Sequence, residues 1–459
     1  MPVEPWDGVR QALRPGPAAA QPSLGWNDDF AKAGSEDCLY LDVWTPSPGV
    51  GGRLPVMVWI HGGANVAGAG GFDPLYDGRQ LIRKGVVLVV VEYRLGVFGF
   101  FSHPELTAES PHHASGNYGL MDQAAALRWV RDNISQFGGD PGNVTLFGQS
   151  AGSMDVLALM TTPLAHGLFH RAIAESGPTL YSWTVDAAEN AGTQAAAAAG
   201  APARGSISYL RTLPPGELLR RIPWIIAGST DGWVLPENPA DAFREGKEAR
   251  VPLILGSMAV EVPDAGTPEV LRRHISAFFG EGRARRAEIL YGLAGGGTGS
   301  TDPLYGNAGE QWGSDVYRCR LVVQGEWHAR SGNPTWEYEL DRAIPPRLHA
   351  VHSGDLPYVF GNLLKTGSQG GDFRDEDRQL SEKVQAYWTR FASTGDPNGP
   401  GTASWPEHDG ASRRFLVFGT DACVRVSTDQ RGPFCDLFRE TMDRPVGGPR
   451  SEEQARTGN

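Results

Sequence analysis

The feature that most constrains this chain is Gly148-Gln-Ser150-Ala-Gly152. It sits between the short apolar run Asn143-Val-Thr-Leu-Phe147 and an apolar segment that continues to Met160. The run predicts a strand and the segment a buried helix. A serine between them, flanked by glycines two residues away on each side, fits a turn too sharp for neighbouring Cβ atoms, which pushes the hydroxyl out above a sheet. The pentapeptide alone is common in a chain with 60 glycines, so its weight comes from the strand, turn and helix around it. A serine hydroxyl is a poor nucleophile until an imidazole takes its proton, and the tetrahedral intermediate needs donors aimed at its oxyanion. His61-Gly-Gly-Ala64 follows the run Leu54-Pro-Val-Met-Val-Trp-Ile60, and a turn of such small residues presents bare N–H groups. Gly63 and Ala64, with Ala151 just past the serine, are the predicted oxyanion hole.

The surrounding pattern sets the fold class. Leu39 to Trp44 alternates as a strand does, Leu54–Ile60 predicts a buried strand, and Val86 to Tyr93 is the β-branched run expected of a central parallel strand. Helical spacing from Ala124 to Ile134 follows, then further strands at 251–255 and 335–340 and a long helix at 377–393. Alternating strands and helices predict an α/β chain with a mostly parallel sheet and helices on both faces. Residues 185–222 and 264–315 interrupt the alternation with helical stretches, the second carrying Gly295-Gly-Gly-Thr-Gly-Ser300, and are expected to cover a pocket. That glycine-rich loop has no following lysine and is no phosphate cradle.

Several function classes fall away. The net charge is −12, from 41 basic and 53 acidic residues, so the attraction to phosphate that drives nucleic-acid binding has no global source. The longest apolar run, Val86 to Val91, is six residues, against the ~20 of a membrane-spanning helix. Met1-Pro-Val-Glu-Pro-Trp lacks the charged start and apolar stretch of a leader, which favours the cytoplasm, with the periplasm or secretion the alternative if a leader has been removed. Four cysteines, Cys38, Cys319, Cys423 and Cys435, form no C-x-x-C pair, so neither zinc nor a disulfide scaffold is expected. Four reduced, buried thiols are the expected state, with Cys423 and Cys435 the pair close enough in sequence to be bridged.

Beyond these local readings, six stretches taken together resemble a known family. They are Ser35-Glu-Asp-Cys-Leu-Tyr-Leu-Asp-Val-Trp44, Leu54 to Ala64, Glu92-Tyr-Arg-Leu-Gly96, Gly116-Asn-Tyr-Gly-Leu-Met-Asp-Gln123, Phe137 to Gly152, and Asp355-Leu-Pro-Tyr-Val-Phe-Gly361. In order and in content they resemble the type B carboxylesterases, which include cholinesterases and bacterial para-nitrobenzyl esterases. The resemblance implies one α/β-hydrolase domain over 1–459, acting on carboxylic esters without metal or cofactor. It also implies the rest of a triad. The acid follows a Val-Pro-Leu strand, which makes it Glu261 in Val251-Pro-Leu-Ile-Leu-Gly-Ser-Met-Ala-Val-Glu261, with Asp264 as the alternative because the segment around Glu261 is degenerate. The base precedes Asp355-Leu-Pro-Tyr, which makes it His352, with His349 as the competitor.

Departures from the family pattern carry their own expectations. Pro5-Trp-Asp-Gly8 normally follows some tens of residues that build a small antiparallel sheet and the first strand of the large one, so a sheet edge is expected to lack its partner and a homodimer is allowed. Asn65 stands where relatives carry an aromatic, which predicts a roomier or a more polar acyl pocket. Gln149 replaces the usual glutamate before the nucleophile and removes one buried charge. Ser176, in Ala174-Glu-Ser-Gly177, resembles a serine placed near the triad and joins Asn65 and Gln149 as pocket candidates. Trp26 lies near, but not at, the position of the choline-binding tryptophan, so no choline ester is expected. The function expected is hydrolysis of short to medium acyl or aryl esters. The alternatives are a catalytically silent binding protein, or a lipase-like or detoxifying hydrolase of a bulky ester.

Overall fold

The computed structural model describes residues 7–9, 11–49, 51–179, 182–225, 228–409, 412–428 and 431–443. Its centre is a nine-stranded sheet built from β1 (Leu41–Trp44), β2 (Leu54–Ile60), β3 (Val87–Val91), β4 (Gly139–Gln149), β5 (Arg171–Glu175), β6 (Leu253–Met258), β7 (Thr335–Leu340), β8 (Arg414–Phe418) and β9 (Val424–Thr428). The strand order is β1-β3-β2-β4-β5-β6-β7-β8-β9. The seven interior strands pair parallel, while the outermost pairs β1–β3 and β8–β9 run antiparallel. This is the mostly parallel sheet that the alternating pattern predicts.

β2 and β3 are apolar on both faces because helices cover both. Val56 to Ile60 and Val87 to Val91 are buried without interruption. Pro55 cannot donate to the ladder, and the β2–β4 register slips there, between Leu54 paired with Gly139 and Val56 paired with Val144. Beyond that slip β4 begins at Gly139, four residues before the strand expected from Asn143.

One face is covered by α1 (Tyr118–Asn133), α2 (Ala151–Leu159) and α3 (Ala308–Arg330). The other is covered by the short α4 (Leu356–Phe360) and the long α5 (Asp375–Thr394). α6 (Gly432–Met442) packs against α3. The segment 185–222 carries helices at 185–198, 206–210 and 215–221, and 264–315 carries helices at 268–279 and 281–290 before α3 starts. Among the described residues no helix is long and apolar enough to cross a membrane.

The cysteine expectation is corrected. Cys435 is bridged to Cys319, not to Cys423. Packing of α6 on α3 brings the two Cα atoms to 4.6 Å although 116 residues separate them. Proximity along the chain was the wrong guide, because helix packing sets which thiols meet. Cys38 is buried and free, its thiol pushed up to about 12 by burial, and Cys423 is exposed.

Candidate active site

Strands of a parallel sheet deliver their carboxyl ends to one edge, and loops leaving those ends build the site. β2, β4, β6 and β7 each contribute. β4 ends at Gln149, α2 starts at Ala151, and Ser150 between them takes φ 57° and ψ −124°. A non-glycine residue held there stores roughly 1–3 kcal/mol of strain. Gly148 and Gly152 are required by close approach: a Cβ on Gly152 would lie 2.1 Å from the Ile60 carbonyl oxygen, and one on Gly148 2.6 Å from the Gly152 carbonyl oxygen. The Ser150 amide donates to the Glu175 carbonyl oxygen on β5 at 2.8 Å, which ties the turn to the neighbouring strand.

The structure brings Ser150, His352 and Glu261 together from three separate loops. Ser150 Oγ lies 2.8 Å from His352 Nε2, and His352 Nδ1 lies 2.5 Å from Glu261 Oε2. The second oxygen of Glu261 accepts from the Met258 amide at 2.8 Å, and the Glu261 amide donates to Ser314 Oγ at 2.9 Å. The backbone carbonyls of Met258 and Ala259 both accept from the buried Arg318 guanidinium. These are main-chain contacts, so the loop holds its carboxylate although its side chains depart from the family pattern. Asp264 is elsewhere, 2.5 Å from His274 Nδ1. The His352 side chain is 21 % exposed, and the edge of the Tyr317 ring packs on it at 5.3 Å between centroids.

Gly63 has φ 113° and a Cβ there would meet the Ala67 carbonyl oxygen at 1.9 Å, so only glycine fits this turn. Its own carbonyl accepts from the Val66 and Ala67 amides, which turns the chain back on itself, and Ala64 follows at φ 57°. His61, behind the turn, is fully buried, stacks on Tyr93, and places Nδ1 2.8 Å from the Gly62 carbonyl oxygen. Burial pushes its imidazole down to about 4, so it is neutral and serves the turn's shape.

A cavity of about 240 Å³ opens over Ser150 and His352, walled by Gly62, Gly63, Gln149, Leu356 and Gln369 among others. Trp26, Asp73 and Tyr76 also line it, and sequence reasoning gave none of them a pocket role. No residue of 185–222 or 264–315 is in that lining, and Ser314 from the latter segment supports Glu261 from behind instead. Asp73 caps the turn at Leu75, and burial pushes its carboxyl up to about 6.

Two of the three pocket candidates, Asn65 and Ser176, are not among the residues that line the cavity. Asn65 points inward: its Nδ2 donates to Asp155 Oδ1 at 3.0 Å and its Oδ1 accepts from Tyr93 at 3.1 Å. Asn65 takes a positive φ, with its side chain in this buried polar network. Ser176, just past the end of β5, is fully buried, its amide bonded to the Gly256 carbonyl oxygen. Gln149 does line the cavity.

A serine on a strained strand-to-helix turn, hydrogen-bonded to a histidine that is bonded to a buried carboxylate, above a nine-stranded mostly parallel sheet, defines the α/β-hydrolase class. Comparison with known proteins agrees. The carboxylesterase family model matches residues 1–266 and 305–438. Para-nitrobenzyl esterase of Bacillus subtilis is 36 % identical over 451 residues, covering 92 % of this chain and 88 % of that protein. Fumonisin B1 esterase of Sphingopyxis macrogoltabida is 34 % identical, covering 91 % and 79 %. A solved para-nitrobenzyl esterase structure superposes with a TM-score of 0.79 at 33 % identity, covering 96 % of this chain and 91 % of that one. The chain belongs to the carboxylesterase family and is a carboxylic ester hydrolase.

Proposed function

We propose that the chain hydrolyses short to medium acyl or aryl esters through a Ser150–His352–Glu261 triad and an acyl-enzyme intermediate. The observation that carries this reading is the unbroken hydrogen-bond chain from Ser150 Oγ through the two ring nitrogens of His352 to Glu261. With Glu261 accepting from Nδ1–H, the Nε2 lone pair faces the serine and takes its proton as Oγ attacks the ester carbonyl. The amides of Gly63, Ala64 and Ala151 receive the negative charge that develops on the carbonyl oxygen. His352 then protonates the leaving alcohol, and a water activated by the same nitrogen releases the acid.

The cavity supports the size range: about 240 Å³ is below the ~300–1,000 Å³ of pockets that hold drug-sized ligands. The testing experiment is a para-nitrophenyl ester series from acetyl to dodecanoyl, assayed with the wild type and Ser150→Ala in parallel. The reading expects activity that falls off for the long acyl chains and a loss in Ser150→Ala of several orders of magnitude. A folded wild type inactive on every chain length would refute it.

A further inference from the structure

Gln149 is the last residue of β4, and its 2 % exposed side chain faces the cavity beside the nucleophile. Its Nε2 lies 3.3 Å from His352 Nε2, the ring nitrogen that Ser150 Oγ already approaches at 2.8 Å. The other ring nitrogen is occupied by Glu261 and carries the ring proton. A neutral imidazole then offers one lone pair, at Nε2, and two donors, the serine hydroxyl and the glutamine amide, converge on it.

We propose that Gln149 is a positioning residue that favours the neutral, proton-accepting form of His352 and so sets the acid limit of the enzyme's working pH. This rests on the triad reading above. In the resting state the amide N–H meets a lone pair, which is favourable. Once the Ser150 proton has moved to Nε2, the same N–H faces an N–H, which is not. The acceptor that could meet that N–H, the glutamine's Oε1, is not the atom turned to the ring. That oxygen now lies against the Gly62 turn, where a Cβ on Gly62 would be 2.9 Å from it. A glutamate at 149 would act in the opposite sense, since a carboxylate 3 Å from Nε2 favours imidazolium.

The other titratable groups near His352 and Gln149 have partners of their own, although Glu175 is the strand neighbour of Gln149. Glu261 holds Nδ1. Asp355, in the next turn, accepts from Tyr338, with its carboxyl pushed up to about 6 by burial. Glu175, on β5, accepts from Trp388 Nε1, and burial drives its carboxyl well above the usual range. Tyr317 packs against the ring and Asp73 lines the cavity.

The test is the pH dependence of inactivation by a fluorophosphonate, which reports the free enzyme's nucleophile–base pair without turnover. It is measured on the wild type, Gln149→Met and Gln149→Glu. Removing the donor in Gln149→Met is expected to raise the midpoint of the acid limb by about 0.5 unit, and Gln149→Glu by about 1 unit or more. A merely structural role would change the rate at all pH values and leave the midpoint in place. A Gln149→Met midpoint within about 0.2 unit of the wild type, or below it, overturns the proposal. A wild type that is not inactivated at any pH overturns the triad reading itself, a different and recognisable result.

Discussion

Glu261 Oε2 lies 2.5 Å from His352 Nδ1, while Oε1 of the same carboxylate accepts from the Met258 amide at 2.8 Å. Both oxygens are engaged, so the carboxylate cannot turn without breaking one bond. Glu261→Gln keeps the shape but offers an N–H to Nδ1, which favours the wrong tautomer. A fall in kcat of roughly 10³–10⁴ is expected on a para-nitrophenyl ester, with a native far-ultraviolet spectrum. Asp264→Asn, whose carboxylate serves His274, should stay within about twofold of the wild type.

The Gly63 turn, the proposed oxyanion hole, gives a steric prediction. A methyl group on Gly63 would overlap the Ala67 carbonyl oxygen at 1.9 Å, so Gly63→Ala must shift the turn. Loss of one oxyanion donor costs about 10²–10³ in kcat, and that loss is expected here with little change in KM.

Glu92, buried beside His61, gives a stability prediction. Its Oε1 accepts from the Gly70 amide at 2.6 Å and its Oε2 stands 3.9 Å from His61 Nε2. Burial drives its carboxyl well above 4.5, so the folded protein holds a proton that the unfolded chain releases. Stability contributed by that proton is complete below 4.5 and is lost as pH rises through the folded value. Glu92→Gln keeps the acceptor and removes the titration. Urea midpoints of the variant and the wild type should therefore diverge as pH rises from 5 to 9, the wild type falling by up to about 1.4 kcal/mol per pH unit relative to the variant. Parallel curves would contradict this.

The Cys319–Cys435 bridge closes a loop of more than 100 residues. Cys435→Ala is expected to lose roughly 2–5 kcal/mol in denaturant unfolding, and reductant to lower the wild-type midpoint but not the variant's. Cys423→Ala, at an exposed and unbridged position, should change stability by less than about 0.5 kcal/mol.

What the residues made legible was whatever depends on backbone shape. Leu54–Ile60 is a strand at its expected bounds because a run apolar on both faces has one place to go, and Thr335–Leu340 because Trp336, Tyr338 and Leu340 alternate with Thr335, Glu337 and Glu339. Ser150 was legible because glycines at 148 and 152 answer contacts with the β2 carbonyl and the elbow's own backbone. Glu261 was harder, since Met258, Val260 and Val262 depart from the family pattern. The Met258 amide and the Arg318 contacts to main-chain carbonyls hold the loop whatever those side chains are. The Cys319–Cys435 pair was misread, and Asn65 and Ser176 lie outside the cavity lining, because such outcomes depend on side-chain direction and on packing between distant elements. Trp26, Asp73 and Tyr76 reach the cavity from loops whose course the pattern of apolar residues does not determine.

The most direct test of the central claim is to treat the purified protein with a fluorophosphonate and map the adduct by peptide mass spectrometry. The account predicts one stoichiometric adduct on Ser150, with esterase activity lost in proportion and no labelling of Ser150→Ala. Labelling of a different residue, or full activity with Ser150 unmodified, would contradict it.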